Sequence, residues 1–119
     1  MKTKFEDFSL GTQAGISLER FVNHHSLVFR ECGIGTYQEK SGRDAHRAWC
    51  IESKKGKVYY IYLQVAYNID VFTRKKFSTV SSIVLFDFST YSLVCKTHLN
   101  SYKDLSTFLN EISPVLLDD

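Results

Sequence analysis

The longest regular pattern in the chain is an alternation. Over residues 58–72 one parity reads Tyr59, Ile61, Leu63, Val65, Tyr67, Ile69, Val71, wholly apolar or aromatic. The other parity sets Gln64, Asn68 and Asp70 among Tyr60, Tyr62 and Ala66. A period of two predicts a β-strand with one buried and one wetter face. Three turns place its neighbours. Lys54-Lys55-Gly56 suits a short hairpin loop with glycine in the left-handed position, and pairing Ser53 with Lys57 sets Ile51 against Tyr59 and Trp49 against Ile61. A connection over residues 73–78 pairs Phe72 with Thr79, Val65 with Phe86 and Leu63 with Phe88. A turn at Thr90-Tyr91 pairs Phe88 with Leu93 and Phe86 with Cys95. In these registers the apolar parities share one face, an agreement that a one-residue slip would destroy.

Helical periodicity brackets this meander. Ser17 can act as N-cap, and Leu18, Phe21, Val22, His25, Val28, Phe29 and Cys32 form one apolar stripe before Gly33, which predicts a helix over residues 17–32. Near the other end, Ser101 and Asp104 have the spacing of a capping box, and Leu105, Phe108, Leu109 and Ile112 continue to Pro114, which predicts a helix over about 102–113. Residues 1–16 read as an arm or loop, and residues 36–39 as a candidate edge strand. The expected fold is α+β: a two-layer sandwich in which an N-terminal and a C-terminal helix pack on one face of an antiparallel meander. The meander, over about 46–99, has four strands, or five if the edge strand forms.

Composition agrees with one domain over residues 1–119. The chain is 44% hydrophobic, with nine Phe and seven Tyr, enough to fill a core without disulfide or metal. Residues 1–7 are basic at the start but are followed by no apolar run, so no secretion signal is read there. The longest charge-free run, residues 58–69, is too short to span a membrane, and no membrane partner is expected. Three cysteines in odd number (Cys32, Cys50, Cys95), with no leader, favour free thiols and a cytoplasmic setting.

Chemical motifs are weak. His24, His25, His46, His98 and the cysteines show no metal-ligand spacing, so no metal and no cofactor are expected. No nucleophile elbow or phosphate loop is present, and the reading leans away from an enzyme. Lysines at 54, 55 and 57 and the basic run Arg74-Lys75-Lys76 lie at opposite ends of a strand about 50 Å long. They suit a solvated pair of tips, or at most a weak nucleic-acid binder, and nucleic acid is the least favoured partner. More telling is the outer sheet face, where tyrosines sit among small and apolar residues rather than charges. The expected binding face holds His46, Tyr60, Tyr62, Gln64, Leu85 and Asp87, with His46, Gln64 and Asp87 in one row across adjacent strands. The function expected from it is a non-catalytic interaction module that binds a partner protein or pairs as a homodimer. The alternative is a small-molecule-binding domain, or minor enzyme, using the same polar residues.

Overall fold

The structure is a computed structural model that describes residues 10–39 and 42–118, with side chains described except at Leu10, 33–46 and 77–78. A helix α1 (Leu10–His25) leads into strands β1 (Phe29–Glu39), β2 (Gly42–Glu52), β3 (Val58–Ile69), β4 (Lys76–Asp87) and β5 (Ser92–His98), and helix α2 (Tyr102–Leu117) follows. The strands form one antiparallel sheet in sequential order. The α+β architecture with a helix at either end of a meander is as the sequence predicts, and the sheet has five strands.

The first helix differs from the expectation of 17–32. It begins by Leu10, so residues 10–16 are helix rather than arm, while residues 1–9 lie outside the described part. Its buried stripe is Ala14, Leu18 and Val22, one side chain per turn. Gly15 is the reason the early turns pack: a Cβ there would fall on the guanidinium of Arg47. The helix stops at Ser26, which adopts φ 54° while Leu27 N–H bonds Val22 C=O at 3.0 Å, a Schellman closure made without glycine. Val28, Phe29 and Cys32 therefore belong to extended chain. Their spacing fits a helix, but Phe29 stacks on Trp49 across the β1–β2 pair at 6.3 Å.

The second helix also outruns its predicted end. Pro114 lies inside α2, which continues to Leu117. The missing proline N–H is offset by burial of Leu116, fourth in the stripe Leu105, Phe108, Ile112, Leu116, and by the bond from Lys54 N–H to Leu116 C=O at 2.8 Å. The start is the expected capping box of Ser101 and Asp104: the Asp104 carboxylate accepts from Ser101 N–H at 3.0 Å and Asn100 N–H at 2.7 Å.

Between β2 and β3 the register is the predicted one, with Ile51 opposite Tyr59 and Trp49 opposite Ile61. Between β3 and β4 it is not. The hairpin closes on a tighter loop, with Asp70 N–H bonded to Lys75 C=O and Ile69 opposite Lys76, and a bulge at Ser81 shifts the ladder again. Val65 meets Val80 rather than Phe86, Leu63 meets Ile83 rather than Phe88, and Ile61 meets Leu85. Ile83 and Leu85 are fully buried against the helices, whereas Phe86 lies opposite Tyr60 on the other face. The core joins Trp49, Ile51, Tyr59, Ile61, Val80, Ile83 and Leu85 to the stripes of both helices.

Two features shape the face turned away from the helices. Cα atoms of β1 approach within 8 Å of β4 although β2 and β3 lie between them, so the sheet is strongly curled. Ser82 and Val84 are buried on that face, and its middle is closed. The far end of the β3–β4 hairpin runs beyond the helices. There Tyr67, Ile69, Val71 and Phe72 are 60% to 92% exposed despite an apolar pattern that predicted burial for the first three.

Candidate outer-face interaction site

The open part of the outer face lies beside the β4–β5 turn. Reading across the ladder, Cys50 pairs with Tyr60, Tyr60 with Phe86 and Phe86 with Leu93. Ring centroids lie 4.9 Å apart for Tyr60 and Phe88, 6.5 Å for Phe86 and Phe88, and 5.3 Å for Phe86 and Tyr91. These are offset or edge-on separations at which aromatic rings attract one another. The inner members, Tyr60 and Phe86, are half-buried. The outer members are not: Phe88 is 48%, Leu93 52% and Tyr91 77% exposed.

Asp87 builds the turn that displays these rings. Its Oδ1 accepts from Ser89 N–H at 2.9 Å, Ser89 Oγ–H at 2.8 Å and Thr90 N–H at 3.4 Å. Its Oδ2 meets Lys57 Nζ at 2.9 Å. The Lys57 ammonium first, and then Ser89 and Thr90, hold this carboxyl well below the usual carboxylate range despite its burial. With one carboxylate tying down three donors of the loop, Tyr91 can be carried at φ 55°, in the left-handed region.

Of the residues expected on this face, Tyr60, Tyr62 and Gln64 are there and half-buried. Leu85 and Asp87 are not, because the β3–β4 register turns both toward the helix side. Gln64 lies opposite Ser82, five residues along β4 from Asp87, or about 16 Å at strand rise. The row His46–Gln64–Asp87 therefore does not form. His46 lies opposite Gly35, and its side chain is outside the described ones. The parity of β3 identified the tyrosines; the aromatic contacts to Phe86, Phe88 and Tyr91 were missed because the predicted register sent Phe86 and Phe88 inward.

Other chemistry-bearing groups are engaged within the fold. Ser82 Oγ lies 3.2 Å from His98 Nδ1 as cross-strand neighbours, but the serine is 1% exposed and out of reach of a substrate. A cleft of about 370 Å³ between α1 and the β1–β2 pair is lined by Glu19, Asn23, Glu31, Arg47 and Trp49 among others. Its cation is already held: Arg47 grips Glu31 through Nε at 2.7 Å and a second nitrogen at 3.0 Å, and lies over the Trp49 ring at 5.2 Å. Hydrogen bonding from Arg47 lowers the Glu31 pKa against its partial burial. Among the basic turns, Lys57 is paired with Asp87 and Lys54 Nζ bonds the His25 carbonyl at the end of α1. Among the described residues no three His, Cys, Asp or Glu side chains gather as a metal site. No described helix is long and apolar enough to cross a membrane.

Comparison with family models, with curated proteins and with solved structures finds no match in any of the three, so the functional reading rests on this geometry.

Proposed function

We propose that this chain is a non-catalytic interaction module that docks a protein surface, a second copy of itself or a different partner, through the aromatic end of its outer sheet face. The observation that carries the reading is the continuous cluster Tyr60, Phe86, Phe88 and Tyr91 with Leu93, whose outer rings stand in solvent. Half-exposed aromatics held by a hydrogen-bonded turn match the anchors of protein interfaces, because they bring large apolar area at little loss of side-chain entropy. The engagement of Lys57 by Asp87 and of Lys54 by the His25 carbonyl, which leaves Lys55 as the exposed cation of that turn, weighs against the nucleic-acid reading. The burial of Ser82 beside His98 weighs against an enzyme on the same face. Three free thiols are consistent with work in a reducing cytoplasm.

The test is sedimentation velocity across a concentration series, on the parent and on Tyr91→Lys and Leu93→Lys. Both substituted side chains are exposed, so the fold should be kept. Self-association that weakens in both variants supports pairing of two copies. A parent that is monomeric at high micromolar concentration, but binds an apolar fluorescent dye that both variants fail to bind, supports a different partner. A monomer that binds no dye refutes the reading.

A further inference from the structure

Of the three cysteines, two meet. Cys50 Sγ lies 3.5 Å from Cys32 Sγ, on neighbouring strands and at the border of the aromatic cluster. The contact comes from a β-bulge. Glu31 pairs with Trp49 and Gly33 with Ala48, which leaves Cys32 as the unpaired extra residue of β1. The bulge sends Glu31 toward Arg47 and Cys32 toward the other face, beside Cys50, which opposes Arg30 and Tyr60. Tyr60 stands opposite Cys50 on β3 and interacts electrostatically with both thiols. Cys95 is elsewhere: its thiol donates to the Glu111 carboxylate at 2.9 Å, on the helix side of the sheet.

We propose that Cys32 and Cys50 are a reversible dithiol–disulfide site, oxidised by exchange with a small disulfide such as oxidised glutathione. The sulfurs are already in contact and need to close only to a bond of about 2.05 Å. In the first step one cysteine thiolate attacks a glutathione sulfur, the glutathione S–S bond breaks, and one glutathione thiolate leaves and takes up a proton. In the second, the neighbouring cysteine thiolate attacks the protein sulfur of the mixed disulfide and expels the other glutathione, which also takes up a proton. Two cysteine thiols are thereby oxidised to one cross-strand disulfide while one oxidised glutathione is reduced to two thiols.

The environment sets the tempo. Burial and then Cys32 raise the Cys50 pKa, while the Tyr60 hydroxyl and the Arg30 charge act in the opposite direction. Hydrogen bonding to Cys32 and the charge Cys32 would carry push the Tyr60 phenol up to about 12, so Tyr60 stays a donor at any working pH. A half-buried thiol with a raised pKa makes oxidation slow in the resting state and faster as pH rises. Closure staples the base of the β1–β2 ribbon beside Tyr60. The site stands on thiol chemistry alone, and its failure would leave the docking reading untouched.

The experiment uses the full chain, reduced and then exposed to oxidised glutathione at about 0.1 mM. At this level the mixed disulfide, at an effective concentration of millimolar or more, should outcompete a second oxidised glutathione for the neighbouring thiol about tenfold. Intact mass should fall by two hydrogens, a peptide map without reductant should join the Cys32 and Cys50 fragments, and Cys95 should remain free. Cys50→Ser should instead stop at a lasting glutathione adduct on Cys32, with amide exchange confirming that its sheet is intact. Persistent adducts on the parent, or links through Cys95, would each overturn the proposal.

Discussion

Leu85 and Phe86 are adjacent on β4 and face opposite ways, so truncating each in turn decides the register of the central strand pair. Leu85 is fully buried, with Ile61 opposite it on β3 and Cys95 on β5. Leu85→Ala removes three carbons from the core, about 2.4 kcal/mol at ~0.8 kcal/mol per methylene. A partly collapsed cavity of about 40 Å³ adds about 1 kcal/mol at ~24 cal/mol per Å³. The expected loss is therefore about 3 to 4 kcal/mol. Phe86 is half-buried on the outer face and its ring meets Phe88 and Tyr91, both exposed. Phe86→Ala opens no enclosed cavity and forfeits some burial and edge-on ring contact, about 1 to 2 kcal/mol. Urea unfolding at pH 7 followed by fluorescence of Trp49 reads both. With a slope of about 1.5 kcal/mol/M, the midpoint should fall by about 2 M for Leu85→Ala and about 1 M for Phe86→Ala. A larger loss for Phe86→Ala would mean that the faces of β4 are reversed, and with them the proposed binding surface.

Further outcomes follow from the charge and cap arrangement. Lys57 and the turn donors hold Asp87 below the ordinary carboxylate pKa, so the stability it adds is complete above the unfolded value of about 3.9 and is lost as pH falls further. The urea midpoint of Asp87→Asn should lie below that of the parent at pH 7, and the gap should shrink below about pH 4; a gap constant down to pH 2 would refute the pairing. Burial first, and the Glu111 carboxylate second, push the Cys95 thiol up to about 12. Cys95 should therefore resist iodoacetamide at pH 8 in the folded chain, and its contribution to stability should decline as pH rises past the unfolded thiol value of about 8.5. Rapid labelling of Cys95 at pH 8 without unfolding would contradict this. At α2, Pro114→Ala should raise stability by about 1 kcal/mol by restoring a helical N–H, whereas Leu116→Ala should lower it by about 2 to 4 kcal/mol. Equal and small effects in calorimetry would show that the last turn does not pack.

Much of the fold is legible because patterning and turn chemistry agree. The odd parity of β3 is apolar, and the inward-facing Tyr59, Ile61 and Leu63 are buried as that parity requires. Gly56 takes φ 87° in the turn after Lys55, and the β2–β3 register follows from it. Of the candidate site, Tyr60, Tyr62 and Gln64 were legible from the same parity, while Phe86, Phe88 and Tyr91 were not.

By itself the sequence determined the strands of the meander, the β2–β3 register and the existence of a helix at each end, since these depend on neighbours a few residues apart. Tertiary structure decided the rest. Residues 29–33 satisfy helical and extended spacing alike, and pairing with β2 made them a strand. The end of α2 depended on whether Leu116 could be buried in the core, not on Pro114. Most consequentially, Ile83, Val84, Leu85 and Phe86 are apolar on both parities, so β4 carries no alternation to choose a face. The choice was made by the Asp70–Lys75 closure, the bulge at Ser81 and a curled sheet that buries Val84 on one side while Leu85 fills the core on the other. A strand buried on both faces has no polar side to betray its register, and only its partners can set it.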